Sequence, residues 1–214
     1  MIKPYYDKDG ITIYNGDCRE ILPELNKVDL VVADFPYGLG FDYTKFDDTQ
    51  ENLHNLVQEV MPLLMDCSLR ALITCGHTNI WHYPPAKWVM AWVFGTTNQR
   101  NSWGFTSWQP ILAYGKDPYL ANRVGARMDI INDSRIPTKF EMDNHPCPKP
   151  ISFIKKLIMR GSYLTTDLVL DPFMGIGTTL VASKSLNRKC IGIEIEEKYC
   201  EIAVKRLSQS VMIL

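Results

Sequence analysis

The chain has 214 residues, of which 46% are hydrophobic and 22% charged, with a formal net charge of −1. That length suits one domain with a sizeable core. No stretch approaches the ~18 apolar residues of a membrane span, and the composition excludes disordered, collagenous and disulfide-framework classes. Cysteines 18, 67, 75, 147, 190 and 200 form no CxxC pair, and residues 1–7 lack the apolar core of a signal peptide. A cytosolic chain with reduced thiols, no membrane segment and no metal is expected.

Ile11 to Tyr14 reads as a strand, and Asp17 is placed to cap a short helix carrying Ile21, Leu22 and Leu25. Val28 to Asp34 is a near-continuous apolar run, the pattern of a strand buried on both faces of a parallel sheet. Phe35 to Gly40 continues neither strand nor helix, so the chain turns after Asp34. Apolar residues at helical spacing predict a helix over 50–66, which Pro62 bends or ends. Strands are predicted at 69–75, 88–94 and 111–114, followed by a loop-rich stretch over 116–148. A helix over 151–159 carries Lys155, Lys156 and Arg160 on its polar side. Strand 168–171, helix 178–187, strand 190–195 and helix 196–208 follow. Strands alternating with helices specify one α/β domain, its mostly parallel sheet covered on both faces, with an irregular insert near 95–148.

The neutral total hides an uneven distribution. Residues 1–70 carry 6 Lys/Arg against 13 Asp/Glu, whereas residues 87–160 carry 11 against 5. A basic middle is compatible with a polyanionic partner, although any single lysine there also fits a solvated face. Trp81, Trp88, Trp92, Trp103 and Trp108 fall in the same region and are expected mostly to be core or sheet-packing residues rather than base contacts. His77, His82 and the cysteines read as structural.

Two segments carry chemistry. Asp171-Pro172-Phe173-Met174-Gly175-Ile176-Gly177-Thr178-Thr179 follows a buried strand and opens a helix. Ligands of open α/β sheets bind beyond strand ends. Gly175 and Gly177 let the backbone turn and approach a ligand, and Thr178 or Thr179 can cap the helix. Glu194, ending the next strand, is placed to take both hydroxyls of a ribose. Alone, this pattern also fits an ordinary strand–turn–helix. The second segment is Asp34-Phe35-Pro36-Tyr37. Pro36 pushes Phe35 into an extended conformation, so the Asp34 carboxylate and the Phe35 carbonyl can both accept from one –NH₂ group. Tyr37 offers a ring on which a planar base can stack, worth ~1–3 kcal/mol.

Together, and in this order, these motifs resemble the permuted β-type family of amino-methylating DNA methyltransferases. Three further stretches match: Asn15-Gly16-Asp17-Cys18, His145-Pro146-Cys147-Pro148-Lys149-Pro150, and Ile191 to Ile195 followed by Tyr199, Ala203, Arg206 and Leu207. The resemblance spans residues 14 to about 207. It implies a Rossmann-like fold with circularly permuted motif order and S-adenosylmethionine as cofactor. It further implies catalysis by Asp34, Phe35, Pro36 and Tyr37. Asp17 and Cys18 would lie near the cofactor adenine, and His145, Lys149 and Pro150 near its methionine end. Asp171, Pro172, Phe173, Gly175, Gly177, Thr178 and Thr179 would form the cofactor loop, with Asp34, Glu194 and Ile195 also against the cofactor.

Phe35 stands where the family usually has proline, which adds a bulkier side chain and an N–H beside the target base. Cys147 replaces a usual Thr and Ile176 a usual Ser. An Asp-started turn accompanies N6-adenine more often than N4-cytosine in this family, so methylation of adenine in double-stranded DNA is expected, with the base flipped out of the duplex. The alternatives are N4-cytosine methylation and a non-catalytic DNA-binding subunit retaining the fold. RNA or protein-glutamine substrates fit the motif order poorly. Target recognition is expected in a short insert at about 116–144, with Arg100, Arg123, Arg127, Arg135 and Lys139 contacting DNA. A homodimer or a restriction or phage partner is compatible with so short an insert, as is a bacterial or phage-infected cytoplasm.

Overall fold

The computed structural model describes residues 2–95 and 100–209, the side chains of Asp42 and Arg100 excepted. Nine strands form the main sheet: β1 (Tyr6–Lys8), β2 (Ile11–Asn15), β3 (Leu30–Asp34), β4 (Arg70–Thr74), β5 (Trp88–Val93), β6 (Trp108–Gly115), β7 (Ile130–Asn132), β8 (Val169–Asp171) and β9 (Cys190–Glu194). Their order is β1-β2-β9-β8-β3-β4-β6-β5-β7. From β2 to β4 every pairing is parallel. β1 is antiparallel at one edge, and β6 runs antiparallel to both β4 and β5.

The apolar run in β3 is explained by its neighbours. Leu30 and Val32 join a core with helices α5 (Ile151–Gly161), α6 (Thr178–Ser185) and α7 (Glu197–Gln209). Val31 and Ala33 face the other side, where helix α2 (Gln50–Cys67) packs. A strand covered on both faces has no polar position to spare. Helix α2 continues through Pro62 rather than ending there. Val57, Val60, Met61 and Leu64 are buried along it, and packing of that face holds the helix despite one missing N–H.

This arrangement fixes where a ligand can sit. α2 connects β3 to β4 on one face of the sheet, whereas α6 connects β8 to β9 on the other. The chain therefore leaves β3 and β8 in opposite directions, and a crevice opens beyond their carboxyl ends. Asn15, Glu194, Asp171, Asp34 and Thr74 terminate β2, β9, β8, β3 and β4 along that one rim.

The tryptophans divide. Trp92 is buried and stacks on Phe153 with centroids 3.9 Å apart. Trp88 and Trp108 lie on the sheet strands β5 and β6 with part of their surface open, whereas Trp81 and Trp103, 86% and 97% exposed, belong to neither core nor sheet. Among the described residues, no helix is long and apolar enough to cross a membrane.

Candidate active site

The turn after β3 is held from several directions. Thr74, at the end of the neighbouring strand, donates to Asp34 Oδ1 at 2.5 Å, and the Tyr37 hydroxyl donates to the same oxygen at 2.7 Å. Lys149 Nζ lies 2.6 Å from Asp34 Oδ2. Gln109 Nε2 donates to the Tyr37 hydroxyl at 2.9 Å, while Asn79 and Gln50 donate to the Tyr37 carbonyl at 2.8 and 3.0 Å. The hydroxyl and the carbonyl of this tyrosine are thus tied down, and burial, with Asp34 beside it, pushes its phenol well above the ordinary value. Here Tyr37 orients Asp34 rather than presenting an open face to a base.

Phe35 also differs from expectation. Its ring is 1% exposed and packs against Phe173 and Tyr83, at 4.6 and 5.4 Å between centroids. The bulk that replaces the usual proline is absorbed by the core cluster at the edge of the cleft.

The glycine loop crosses the same crevice. Gly175 and Gly177 have φ of +50° and +77°, the left-handed region that glycine adopts without strain. A Cβ on Gly175 would meet His145 Nε2 at 2.8 Å, so the imidazole lies directly on the loop. Burial lowers the pKa of His145 to about 4, leaving the ring neutral. The sequence suggested Thr178 or Thr179 as cap of α6; the cap position is Gly177, with no side-chain cap bond. Thr178 instead accepts from Arg206, whose guanidinium also bonds the Ile176 carbonyl and pairs with buried Glu141 at 2.6 Å.

Glu194 is buried beside the loop. One oxygen accepts from Gly175 N at 2.9 Å and the other from Glu196 N at 2.8 Å. The Ile195 N–H also bonds this carboxylate, whose roughly four acceptor sites leave room for a further donor. Burial raises the Glu194 carboxyl to about 7, and burial also raises Asp171, one strand away, to about 7. Asp17 caps helix α1 (Cys18–Ile21) and is held below the usual carboxylate range by its hydrogen bonds with Arg19.

One cleft collects most of the expected residues. Asp17, Cys18, Asp34, Phe35, Pro36, Tyr37, His145, Pro172, Phe173, Gly175, Glu194 and Ile195 all line it. Lys149 is 8% exposed and reaches Asp34 from beneath. Pro150 precedes α5, and Asp171, Gly177, Thr178 and Thr179 stand behind the lining as supports of the loop. Spacing alone did not point to Tyr43, Lys45 and Phe46, which reach the cleft from a hairpin over residues 42–47, or to Glu196.

The DNA-contacting candidates divide. Arg135 follows β7 at the catalytic rim, and Lys139 opens helix α4 (Lys139–Asn144), which joins that rim through Glu141 and Arg206. Arg123 and Arg127 lie at the opposite end of the sheet, because β6 ends at Gly115 beside Arg70, the first residue of β4. The Arg100 side chain falls outside the described residues. Lys156 and Arg160 on α5 are engaged by Asp133 and Asp117.

The profile of the DNA methylase family matches residues 77–205, well over half of the chain. The chain belongs to the DNA methylase family. This methylase is 28% identical to the type II methyltransferase M.HpaI of Haemophilus parainfluenzae, over 86% of the chain and 69% of that protein. It is 26% identical to the DNA adenine methyltransferase YhdJ of Escherichia coli (strain K12), over 94% of the chain and 84% of that protein. In structure the methylase resembles M1.HpyAVI in its complex with SAM, with a TM-score of 0.64, 25% identity and coverage of 92% and 99% of the two chains. The alignment with YhdJ runs over 259 positions against the 214 residues of this methylase, so that relative carries additional residues.

Proposed function

We propose that this methylase transfers a methyl group from S-adenosylmethionine to the exocyclic N6 of adenine in double-stranded DNA. The observation that carries this reading is that Asp34 and Glu194 face one cleft from strand ends on either side of β8. An amine-orienting carboxylate and a ribose-sized carboxylate are thereby held together.

The residues present fit the cofactor. The cleft offers a buried carboxylate with spare acceptor capacity at Glu194 and a backbone free of Cβ atoms at Gly175. Its rim also holds Glu196, whose Oε1 is buried without a hydrogen-bond partner among the described residues. When bound, S-adenosylmethionine supplies an electrophilic methyl group on a sulfonium. Glu194 accepts the ribose hydroxyls, Asp17 and Cys18 border the adenine, and His145 with the Asp171–Thr179 loop flanks the methionine end.

Asp34 does the positioning of the acceptor. Its carboxylate and the Phe35 carbonyl take the two hydrogens of the target amine and free the nitrogen lone pair, which conjugation with the ring otherwise withholds. Lys149 supplies the counter-charge and Thr74 fixes the orientation, so the site is preorganised for the charge that develops on nitrogen. The proton displaced from nitrogen departs to Asp34 or solvent. Arg135 and Lys139 contact DNA phosphates beside the cleft, which makes binding steeply salt-dependent. The whole chain acts as one catalytic domain in the cytoplasm. Its recognition segment is short, and a second copy or a restriction or phage partner completes the reading of a longer site.

The test is to incubate the methylase with mixed-sequence duplex and labelled cofactor, digest to nucleosides and separate the products. N6-methyl-2′-deoxyadenosine is expected. N4-methyl-2′-deoxycytidine alone, or label in neither nucleoside, overturns the reading.

A further inference from the structure

A second cavity, besides the catalytic cleft, lies at the other end of the sheet. It encloses about 680 Å³, a size typical of small-molecule sites. Its floor is apolar, formed by Leu72, Met90 and Ala113. At its edge stands Trp88, 62% exposed, with its indole N–H anchored to Asp129 at 2.9 Å. An aromatic ring fixed by one hydrogen bond with much of its surface open is a stacking platform.

The charges around this cavity are unbalanced. Arg70, Lys87, Lys116, Arg127 and Arg160 line it, against Asp117 and Asp129. Both acids are engaged, Asp117 by Arg160 at 2.6 Å and by the first N–H groups of α3 (Pro118–Ala121), Asp129 by Trp88. The Arg127 guanidinium lies over the Tyr119 ring, 4.7 Å from its centroid, with no carboxylate paired to it among the described residues. Arg70 also lines the cavity; its guanidinium donates to the Gly161 carbonyl at 3.3 Å, and its contact with the Asp167 carboxylate is long, at 3.8 Å. Guanidinium and ammonium groups short of close carboxylate partners favour an anionic ligand.

We propose that this cavity is a second ligand site, taking a small anion built on a planar ring. The ring would lie against Trp88 over the apolar floor, and the anionic group would face Arg70, Lys116 and Arg127. Arg70 and Thr74 are the two ends of β4, about 13 Å apart at the rise of a strand. The site is thus separate from the cofactor cleft and its occupancy is independent of the methyltransfer reading. A mononucleotide and an aryl carboxylate share the required chemistry.

The test uses the full chain and the aromatic sulfonate 1-anilinonaphthalene-8-sulfonate as fluorescent probe, with saturating S-adenosylhomocysteine present to occupy the cofactor cleft. One saturable probe site per chain is expected, weakened at least tenfold in the surface variant Lys116→Ala/Arg127→Ala and likewise in Trp88→Ala. Displacement by adenosine monophosphate but not adenosine identifies a nucleotide as the ligand class; displacement by indole-3-carboxylate identifies an aryl carboxylate. Non-saturable binding, loss of the signal on adding S-adenosylhomocysteine, indifference to all three substitutions, or competition by neither anion overturns the proposal.

Discussion

Lys149 Nζ and Asp34 Oδ2 stand 2.6 Å apart although 115 residues separate them in the chain. Lys149 is almost fully enclosed. Desolvation pulls its pKa down, but the charge of Asp34 and the neighbouring Cys147 outweigh this and hold the ammonium above its ordinary value. The buried cation and the reactive carboxylate therefore depend on each other.

A double-mutant cycle measures that dependence. Lys149→Met and Asp34→Asn are each expected to destabilise the fold by about 3 kcal/mol, because each leaves its partner uncompensated in a poorly solvated site. The double variant should lose clearly less than the sum of the two. Additive losses in chemical denaturation would show that the pair is not coupled. Asp34→Asn should also remove methyl transfer while leaving binding of S-adenosylhomocysteine within a few-fold of wild type.

The tethers on Tyr37 give a milder effect. Gln109→Leu removes one hydrogen bond to its hydroxyl, and Thr74→Val removes one to Asp34. Each should cost about 1 kcal/mol of stability. Single-turnover methyl transfer should slow by about tenfold, the equivalent of ~1.4 kcal/mol in barrier, if the orientation of Asp34 is what these bonds secure. A wild-type rate in both variants would assign the tethers to folding alone.

Glu194 sets a pH dependence. Its carboxyl, raised by burial to about 7, is largely protonated at pH 6 and ionised at pH 8. The ionised form is the better acceptor for ribose hydroxyls. Binding of S-adenosylhomocysteine should therefore tighten by up to about tenfold across that interval, following the ionised fraction. In Glu194→Gln the affinity should be lower and nearly flat with pH. An equally steep profile in that variant would transfer the titration to another group, Asp171 being the obvious one.

The glycine loop can be probed at two neighbouring positions. In Gly177→Ala the new methyl meets Ala203 Cβ at 2.7 Å at a φ of +77°, and stability should fall by about 1–3 kcal/mol. In Gly175→Ala the methyl presses on His145, which lines the cleft. Calorimetry with S-adenosylhomocysteine should find its affinity reduced more by Gly175→Ala than by Gly177→Ala, whatever their relative melting temperatures.

The fold was largely readable because β3, β8 and β9 are short apolar runs ended by carboxylates, and the helices between them keep a clear period. What escaped was weakly patterned. β1 and β7 have three residues each, too few for an alternation to register, and α3 and α4 have four and six. The clamps on the catalytic turn were hidden for a different reason. Thr74, Asn79 and Gln109 reach Asp34 or Tyr37 only because β4 pairs with β3 and β6 pairs with β4, and nothing in their spacing announces it. The exposure of Trp81 and Trp103 is not legible in the sequence, because an apolar ring carries no local mark telling surface from core. Lys149 could be assigned to the site but not to its partner, since its contact crosses from the start of α5 to the end of β3.

Asp34, Asp171 and Glu194 sit on three adjacent strands, at one rim of the sheet. A sulfonium donor enters such a site as a cation and leaves as an uncharged thioether. Lys149 offsets the charge of Asp34, and Asp171 stands behind the lining, so the ionised Glu194 is the carboxylate whose charge favours a sulfonium over a thioether in this partly desolvated cleft. Protonation of Glu194 therefore narrows the preference for the loaded over the spent donor.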